Sequence, residues 1–172
     1  CGRQLGTLGD AGVFSFYATK TITTGEGGMV TTNNAELARR MSIMRLHGID
    51  RDVWDRYTSM HPSWRYQIVE AGYKYNLPDI LAAIGRVQLS KATRFRERRR
   101  AIANAYSRHL ATRDYLRLPP PSSESSWHLY IVRIEADRLS ISRDEYIEQL
   151  AEAGIGTSVH YIPLHIMPYY RH

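Results

Sequence analysis

A lysine in a hydroxyl-rich loop, Lys20, is the side chain in this sequence best suited to covalent chemistry. It follows an apolar run, Val13 to Tyr17, whose pattern predicts a buried strand end. A glycine turn, Gly25 to Gly28, leads into a second short strand, predicted at Met29 to Thr32. Partial desolvation beside a buried strand favours the neutral amine, which is a nucleophile toward carbonyl groups. Ser15, five residues earlier, offers a hydroxyl that suits a phosphate.

Spacing alone leaves a second interpretation of Lys20 open, because a lysine after a strand is more often a solvated surface residue. The glycine turn does not form the G-x-G-x-x-G pattern, so a dinucleotide site is poorly supported. We expect Glu26 to order the turn by accepting backbone N–H bonds. Thr21, Thr23 and Thr24 are predicted to form hydrogen bonds within the loop rather than to act as catalysts.

The amino-acid composition favours some classes of function over others. The chain has 172 residues, 43% of them hydrophobic, which is enough to bury a sizeable core. Much of its net charge of +6 comes from the arginine-rich segment Arg94 to Arg100. A nucleic-acid partner is one interpretation, but no recognised nucleic-acid-binding motif accompanies the segment, and a solvated helix face is favoured. The single cysteine, Cys1, fits a cytoplasmic protein, and no apolar run has the length of a membrane span.

Helix signals dominate the first two thirds of the chain. The pair Asn33 and Glu36 predicts a helix start, and Gly48 predicts its end. The polar and aromatic segment from Asp50 to Gln67 is typical of a long functional loop. A helical pattern from Pro78, with a bend, is predicted to run to about Leu110 and to link two domains.

The last third alternates between strand and helix signals. After a Pro/Ser-rich linker from Pro119 to Ser126, Trp127 to Ile134 alternates as a strand does. Ser142 and Glu145 match a capping box, which predicts a helix ending at Gly154. Ile155 to Tyr161 is predicted to form another strand, so the order implies a small α/β or α+β domain.

Three segments together resemble one protein family. They are Phe14–Met29 with the lysine and the glycine turn, Gly72–Leu89 with a Gly-Tyr-Lys sequence, and Gly154–Arg171 with a terminal Pro-Tyr-Tyr-Arg sequence. In this order they are similar to motifs of the DegT/StrS family of pyridoxal-phosphate-dependent nucleotide-sugar aminotransferases, and the similarity extends over nearly the whole chain.

The resemblance implies an α/β protein with the aspartate-aminotransferase (type I pyridoxal phosphate) fold. Residues 1–110 would be the later part of the cofactor-binding large domain with its linking helix, and residues 111–172 the start of the small C-terminal domain. Because family members are longer, the chain is expected to be a fragment. The aspartate that pairs with the pyridinium nitrogen, the aromatic residue that stacks on the ring and an N-terminal phosphate loop would lie upstream. We therefore expect the fragment alone to be inactive.

The resemblance also implies roles for individual residues. Lys20 would form the internal aldimine with pyridoxal phosphate and then move a proton between the donor carbon and the cofactor. Ser15 matches the phosphate-binding serine. Lys74 matches a residue that reaches the phosphate in the neighbouring subunit's site, with Asn76 as the alternative, although an asparagine there also suits a helix cap.

Residues near the end of the chain are implied on the substrate side of the site. They are His160, Tyr161 and His165. A lone histidine is more often structural than functional, and that interpretation stays open for each. No histidine or cysteine cluster has zinc-site spacing, so no metal is expected.

The implied function is transamination of a nucleotide-linked keto sugar, with a 4-keto sugar as the finer match and glutamate as the expected donor. Members are typically homodimers with shared active sites. One alternative is a pyridoxal-phosphate-dependent sugar dehydratase, but those relatives carry histidine where this chain has Lys20. Another is a non-catalytic regulatory or interaction protein that kept the fold.

Overall fold

The computed structural model describes residues 2–50 and 66–171 and divides into two compact units, Cys1–Arg99 and Arg100–His172. The first unit contains two strands and two helices, and a third helix continues into the second unit. These elements are β1 (Gly12–Ser15), β2 (Gly28–Thr31), α1 (Ala35–Met44), α2 (Asp79–Ser90) and α3 (Ala92–Leu110). The second unit adds β3 (Leu116–Arg117), β4 (Arg133–Ile134), α4 (Arg143–Glu152) and 3-10 turns at Ala136–Arg138, Leu164–Ile166 and Pro168–Tyr170.

Strands β1 and β2 form an antiparallel pair in which Phe14 faces Met29. Both predicted strands begin one residue earlier than expected, and β1 ends at Ser15 rather than at Tyr17. The expectation that β1 is buried is wrong for this chain, since Val13 is 79% exposed. Within the described residues β1 pairs only with β2.

Helix α1 begins one residue later than the sequence pattern indicated. Asn34, not Asn33, is the N-cap, and its Oδ1 accepts a hydrogen bond of 3.0 Å from the Leu37 N–H. Thr32 Oγ1 accepts the Asn34 N–H at 3.1 Å, which holds Asn34 in the extended conformation that a cap requires. Asn33 and Asn34 each fit the N-cap pattern, and the hydrogen bond between the Asn34 N–H and Thr32 Oγ1 favours Asn34.

Residues 67–77 (the strap) run along the chain that leaves α1 and form backbone hydrogen bonds with it. The prediction that Gly48 ends the helix is wrong, because α1 ends at Met44 with Arg45 as its C-cap. Gly48 adopts φ +70° in the turn that follows, and its carbonyl accepts the Val69 N–H at 2.9 Å. Further along the strap, the Tyr73 N–H donates to the Met44 carbonyl at 2.7 Å. The Asp50 N–H donates to the Gln67 carbonyl at 3.1 Å. Most of the loop predicted between Asp50 and Gln67 lies outside the described residues.

The long helical pattern after Pro78 is two helices rather than one. Helix α2 ends at Ser90, and α3 starts at Ala92 and reaches Leu110, the predicted end. Lys91 caps α2 with its N–H on the Gln88 carbonyl at 3.0 Å. The predicted bend is therefore a break in the helix at one residue.

Two predicted strands in the second unit are largely irregular. Of Trp127 to Ile134, only Arg133–Ile134 pairs, against β3, and Trp127 adopts φ +49°. The predicted strand from Ile155 to Tyr161 is wrong, because no described segment pairs with it. Alternating side chains specify a strand only when another strand edge is available.

Aromatic rings and a complete capping box order the second unit. The Tyr130 ring packs against Tyr106 and Trp127 with centroid distances of 5.3 and 5.8 Å. In α4 the predicted capping box is present. Ser142 Oγ accepts the Glu145 N–H at 3.2 Å, and Glu145 Oε2 accepts the Ser142 N–H at 2.8 Å. The box thus satisfies two backbone donors at the start of the helix.

Candidate functional site

Lys20 lies near the tip of a loop, residues 16–27 (the lysine loop), whose two ends are tied together. The Phe16 N–H donates to the Gly27 carbonyl at 2.8 Å. The Phe16 carbonyl accepts the Thr24 N–H at 3.0 Å. These bonds close the loop directly after β1, so the position of Lys20 depends on both arms of the loop.

The Lys20 side chain is half-buried, and its amine has no partner in the described part of the chain. Its backbone N–H donates to the Tyr17 carbonyl at 2.9 Å, which forms a turn and fixes where the side chain leaves the loop. No residue within 2–50 or 66–171 forms a hydrogen bond or ion pair with Lys20 Nζ. The amine is therefore available to a ligand.

Ser15 is the last residue of β1, directly before the lysine loop, and it is exposed. Its Oγ accepts the Tyr17 N–H at 3.3 Å. Because the hydroxyl oxygen acts as acceptor in that bond, its own proton is left to donate to an anionic oxygen. A serine in this arrangement fits a phosphate group.

Thr24 is the one buried polar residue among the residues described, at 2% exposure. Its Oγ1 donates to the Glu26 carbonyl at 2.6 Å. Thr23 Oγ1 donates to the Phe16 carbonyl and accepts the Gly25 N–H at 2.9 Å. The expected hydrogen-bonding role is confirmed for Thr23 and Thr24. Glu26 was expected to order the turn through its carboxylate, but it joins this network through its backbone carbonyl instead.

A second charged group lies on the strap. Lys74 Nζ donates a hydrogen bond to Asn76 Oδ1. On either side of Lys74, the rings of Tyr73 and Tyr75 stack with centroids 4.8 Å apart. The two candidate phosphate ligands of this segment, Lys74 and Asn76, are thus neighbours in space and form one polar pair.

The strap and the lysine loop are in contact through one leucine. A Cβ placed on Gly27, which has φ +154°, would lie 3.0 Å from Leu77 Cδ1 and 2.5 Å from Thr24 Oγ1. Leu77 follows Asn76 directly, and it lines an apolar cavity of about 500 Å³ together with Phe16 and side chains of α2. The structure therefore brings the segments of Ser15 and Lys20 beside the segment of Lys74 and Asn76.

The three remaining predicted site residues belong to the second unit. His160 and Tyr161 are exposed, with ring centroids 4.3 Å apart. His165 lies in the 3-10 turn Leu164–Ile166, where the Ile166 carbonyl accepts a hydrogen bond from Arg171 Nε at 2.7 Å. Their exposure leaves all three side chains accessible to a ligand.

Other kinds of site find no support in the described part of the chain. Among residues 2–50 and 66–171, no group of three or more histidine, cysteine or acidic side chains is arranged to hold a metal ion. In the same residues, no helix combines the length and apolar character needed to cross a membrane.

The whole chain, residues 1–172, matches the DegT/DnrJ/EryC1/StrS aminotransferase family. The chain belongs to this family. The resemblance found in the sequence is thereby confirmed over its full extent. The lysine loop, the strap and the 160–171 segment all fall within the matched region.

Curated relatives show how much of a family member this chain represents. It is 53% identical over 172 residues to the uncharacterized protein MJ1066 of Methanocaldococcus jannaschii, covering 99% of this chain and 44% of that protein. It is 42% identical to the spore coat polysaccharide biosynthesis protein SpsC of Bacillus subtilis, covering 98% of this chain and 44% of SpsC. The chain thus spans less than half the length of these relatives.

Solved structures establish the fold. PseC of Helicobacter pylori, an aminotransferase involved in pseudoaminic acid biosynthesis, matches with a TM-score of 0.85 and 30% identity, covering 99% of this chain and 44% of PseC. Spr1654 of Streptococcus pneumoniae, solved in PLP and PMP forms, matches the PMP form with a TM-score of 0.83 and 35% identity, covering 99% and 44%. The predicted aspartate-aminotransferase type fold and the predicted cofactor are confirmed for the family.

A dehydratase is also among the structural neighbours. The GDP-4-keto-6-deoxy-D-mannose-3-dehydratase of Escherichia coli, with bound hydrated PLP, matches with a TM-score of 0.74 and 28% identity, covering 90% of this chain and 41% of that one. The structural neighbours of this chain therefore include a dehydratase as well as aminotransferases.

Proposed function

We propose that the full-length protein is a pyridoxal-phosphate-dependent aminotransferase that transfers an amino group to a nucleotide-linked keto sugar. A 4-keto sugar and a glutamate donor are the expected substrates. The observation that carries this proposal is the free amine of Lys20, half-buried on a loop fastened at both ends. The pathway we infer is the supply of amino sugars for polysaccharide synthesis in the cytoplasm, supported by the similarity to SpsC.

The residues of the lysine loop fit this cofactor. Lys20 supplies the primary amine that its aldehyde requires, and Ser15 supplies a hydroxyl proton for its phosphate. When bound, pyridoxal phosphate supplies an electron sink for the charge left on a carbon that loses a proton. Lys20 would hold the cofactor through its amine. The same amine, once freed, would take the proton from the donor carbon and pass it to the cofactor.

Amination is favoured over dehydration because position 20 is a lysine. A primary amine could both hold the cofactor and move the proton, so one side chain would serve both half-reactions. An imidazole in this position would accept a proton but would not form the covalent linkage. The non-catalytic alternative is disfavoured because Lys20 and Ser15 both keep groups free for a ligand.

The polar pair on the strap is proposed to act across a subunit interface. We infer a homodimer in which Lys74, held by Asn76, reaches the cofactor phosphate of the neighbouring subunit. His160, Tyr161 and His165 are proposed to contact the sugar substrate. Their exposure in the second unit is consistent with that role.

The assignment of residues to two domains is also a proposal. Residues 1–110 would complete the cofactor-binding domain of a longer polypeptide, and residues 111–172 would begin its small domain. We expect these 172 residues alone to be inactive, because the family's group that pairs with the pyridinium nitrogen lies in the part of the relatives that the chain does not match. Transamination by the isolated 172 residues would contradict this point.

Absorbance of the full-length protein with pyridoxal phosphate tests the proposal. Wild type is expected to show a bound-cofactor band that moves to the pyridoxamine phosphate position when glutamate is added. Lys20→Ala should not complete the cycle, whereas Lys91→Ala, which changes a lysine between α2 and α3, should behave as wild type. Absence of a cofactor band in wild type would contradict the proposal and favour a non-catalytic protein.

A further inference from the structure

Thr24 connects the lysine loop to helix α2. Its side chain is almost fully buried, and its hydroxyl and its N–H both bond within the loop, to the carbonyls of Glu26 and Phe16. A threonine that only closed a surface turn would not need this burial. The methyl group of Thr24 points at the helix, where it faces Gly85.

Gly85 leaves the space that the methyl group occupies. A Cβ placed on Gly85 would lie 2.9 Å from Thr24 Cγ2. Carbon atoms in contact prefer a separation of about 3.5 Å or more. Any side chain at position 85 must therefore displace Thr24 by roughly 0.6 Å or deform α2. A glycine inside a helix disfavours the helix, so a packing role explains its presence here.

We propose that Thr24 is a positioning residue for Lys20, and that its packing against Gly85 fixes the position of the lysine amine relative to the rest of the site. This inference rests on the proposed function. The hydroxyl of Thr24 bonds to the Glu26 carbonyl and so orders the part of the loop that follows Lys20. The Thr24 N–H bonds to the Phe16 carbonyl, which joins this part of the loop to the end of β1. The methyl group of Thr24 packs on α2 at Gly85 and so fixes the distance of the loop from the helix. Displacement of Thr24 is transmitted to Lys20 because the loop is closed at its base.

A pair of substitutions tests the contact in the full-length protein. Gly85→Ala adds the overlapping Cβ, and Thr24→Ser removes the methyl group that it meets while keeping the hydroxyl. The readout is the rate at which Lys20 forms a borohydride-reducible linkage with pyridoxal phosphate, measured by peptide mass. Since a misplacement of 1 Å can cost about a hundredfold in rate, Gly85→Ala is expected to slow Lys20 labelling about tenfold.

The double variant separates positioning from general damage. Thr24→Ser/Gly85→Ala should recover most of the labelling rate, because the serine has no methyl group to collide with the new Cβ. In Gly85→Ala the higher helix propensity of alanine opposes the overpacking against Thr24, and the double variant keeps the first effect without the second, so the thermal midpoint of the double variant should not fall below that of wild type. Gly9→Ala is the matched control, since a Cβ there meets only the Ala11 carbonyl at 3.9 Å.

The hydroxyl is tested by a second pair. Thr24→Val keeps the methyl contact and removes the bond to Glu26, and it should slow labelling and speed hydrogen exchange of the lysine loop in the cofactor-free protein. Thr32→Val removes a hydroxyl that donates to the Asp10 carbonyl at 2.6 Å and accepts the Asn34 N–H at 3.1 Å, both away from the lysine loop, and should do neither.

The outcomes distinguish this inference from the proposed function. If wild type is labelled at Lys20 and Gly85→Ala is labelled at the same rate, the positioning role is overturned while the proposed function stands. A slowed Gly85→Ala that Thr24→Ser does not restore also overturns it. If wild type is not labelled at Lys20, both fail. Slow labelling of Gly85→Ala with recovery in the double variant supports the inference.

Discussion

Substitution of Gly48 by alanine is expected to destabilise the strap selectively. Gly48 has φ +70°, a region that costs a side-chain-bearing residue about 1–2 kcal/mol. An added Cβ would also overlap the Glu70 carbonyl oxygen and lie 3.2 Å from the Gly72 nitrogen. Overpacking of this kind costs about 1–3 kcal/mol, so the total is about 2–5 kcal/mol.

Gly25→Ala provides the matched comparison. Gly25 has φ +85°, but a Cβ there would meet nothing within 4 Å. Its cost should therefore be only the conformational part, about 1–2 kcal/mol. The difference between the two variants isolates the collision between Gly48 and the strap.

Native-state hydrogen exchange of the full-length protein measures this effect. The reporter amides are those of Val69 and Tyr73, which donate to the carbonyls of Gly48 and Met44. Gly48→Ala should raise their exchange rates by at least about thirtyfold, since each 1.4 kcal/mol is a factor of ten. Gly25→Ala should leave them nearly unchanged. Equal exchange of these amides in wild type and Gly48→Ala would refute the reasoning.

Three further predictions concern single hydrogen bonds. Ser15→Ala should weaken pyridoxal phosphate binding about tenfold or more in titrations, because it removes a donor to a charged group. Hydrogen bonds from the backbone and then the side chain of Ser142 lower the pKa of Glu145, so this carboxylate stabilises α4 above its ordinary pKa of 4.5. That stabilisation should disappear as the pH falls through the lowered pKa, and Glu145→Gln should flatten the acid dependence of α4 amide exchange. Tyr130→Phe should cost about 1 kcal/mol in denaturant unfolding, because it removes the 2.8 Å bond to Ser107.

Each of these predictions has an outcome that contradicts it. Unchanged cofactor affinity in Ser15→Ala would exclude its hydroxyl from the phosphate site. An acid dependence of α4 that persists in Glu145→Gln would assign the effect to another group. A Tyr130→Phe variant as stable as wild type would show that Ser107 and solvent compensate for the lost bond.

Features set by neighbouring residues were predictable from the sequence. The capping box of Ser142 and Glu145 depends on two residues three positions apart, and the structure shows both of its bonds. Gly48 was predicted to end α1, but the helix ends at Met44 with Arg45 as its C-cap, and Gly48 instead supplies the positive φ of the turn that follows. The family and its fold were recognisable because the lysine loop is a continuous motif.

Features set by distant contacts were not predictable. Nothing local to Thr24 indicates that its methyl group meets Gly85 on another element. A glycine inside an otherwise helical pattern was the available signal, since its cost to the helix implies a packing reason. The strand predicted from Ile155 to Tyr161 was wrong for the same reason, because the available pairing partners decide whether an alternating pattern becomes a strand.

The most direct test of the account is the location of the cofactor on the chain. The full-length protein would be incubated with pyridoxal phosphate, reduced with borohydride and digested, and the modified peptide identified by mass. This chain has three lysines, Lys20, Lys74 and Lys91, so the assignment is unambiguous within it. Modification is expected at Lys20, and the corresponding peptide of Lys20→Ala should be unmodified. Modification of Lys74 or Lys91 in place of Lys20 would contradict it.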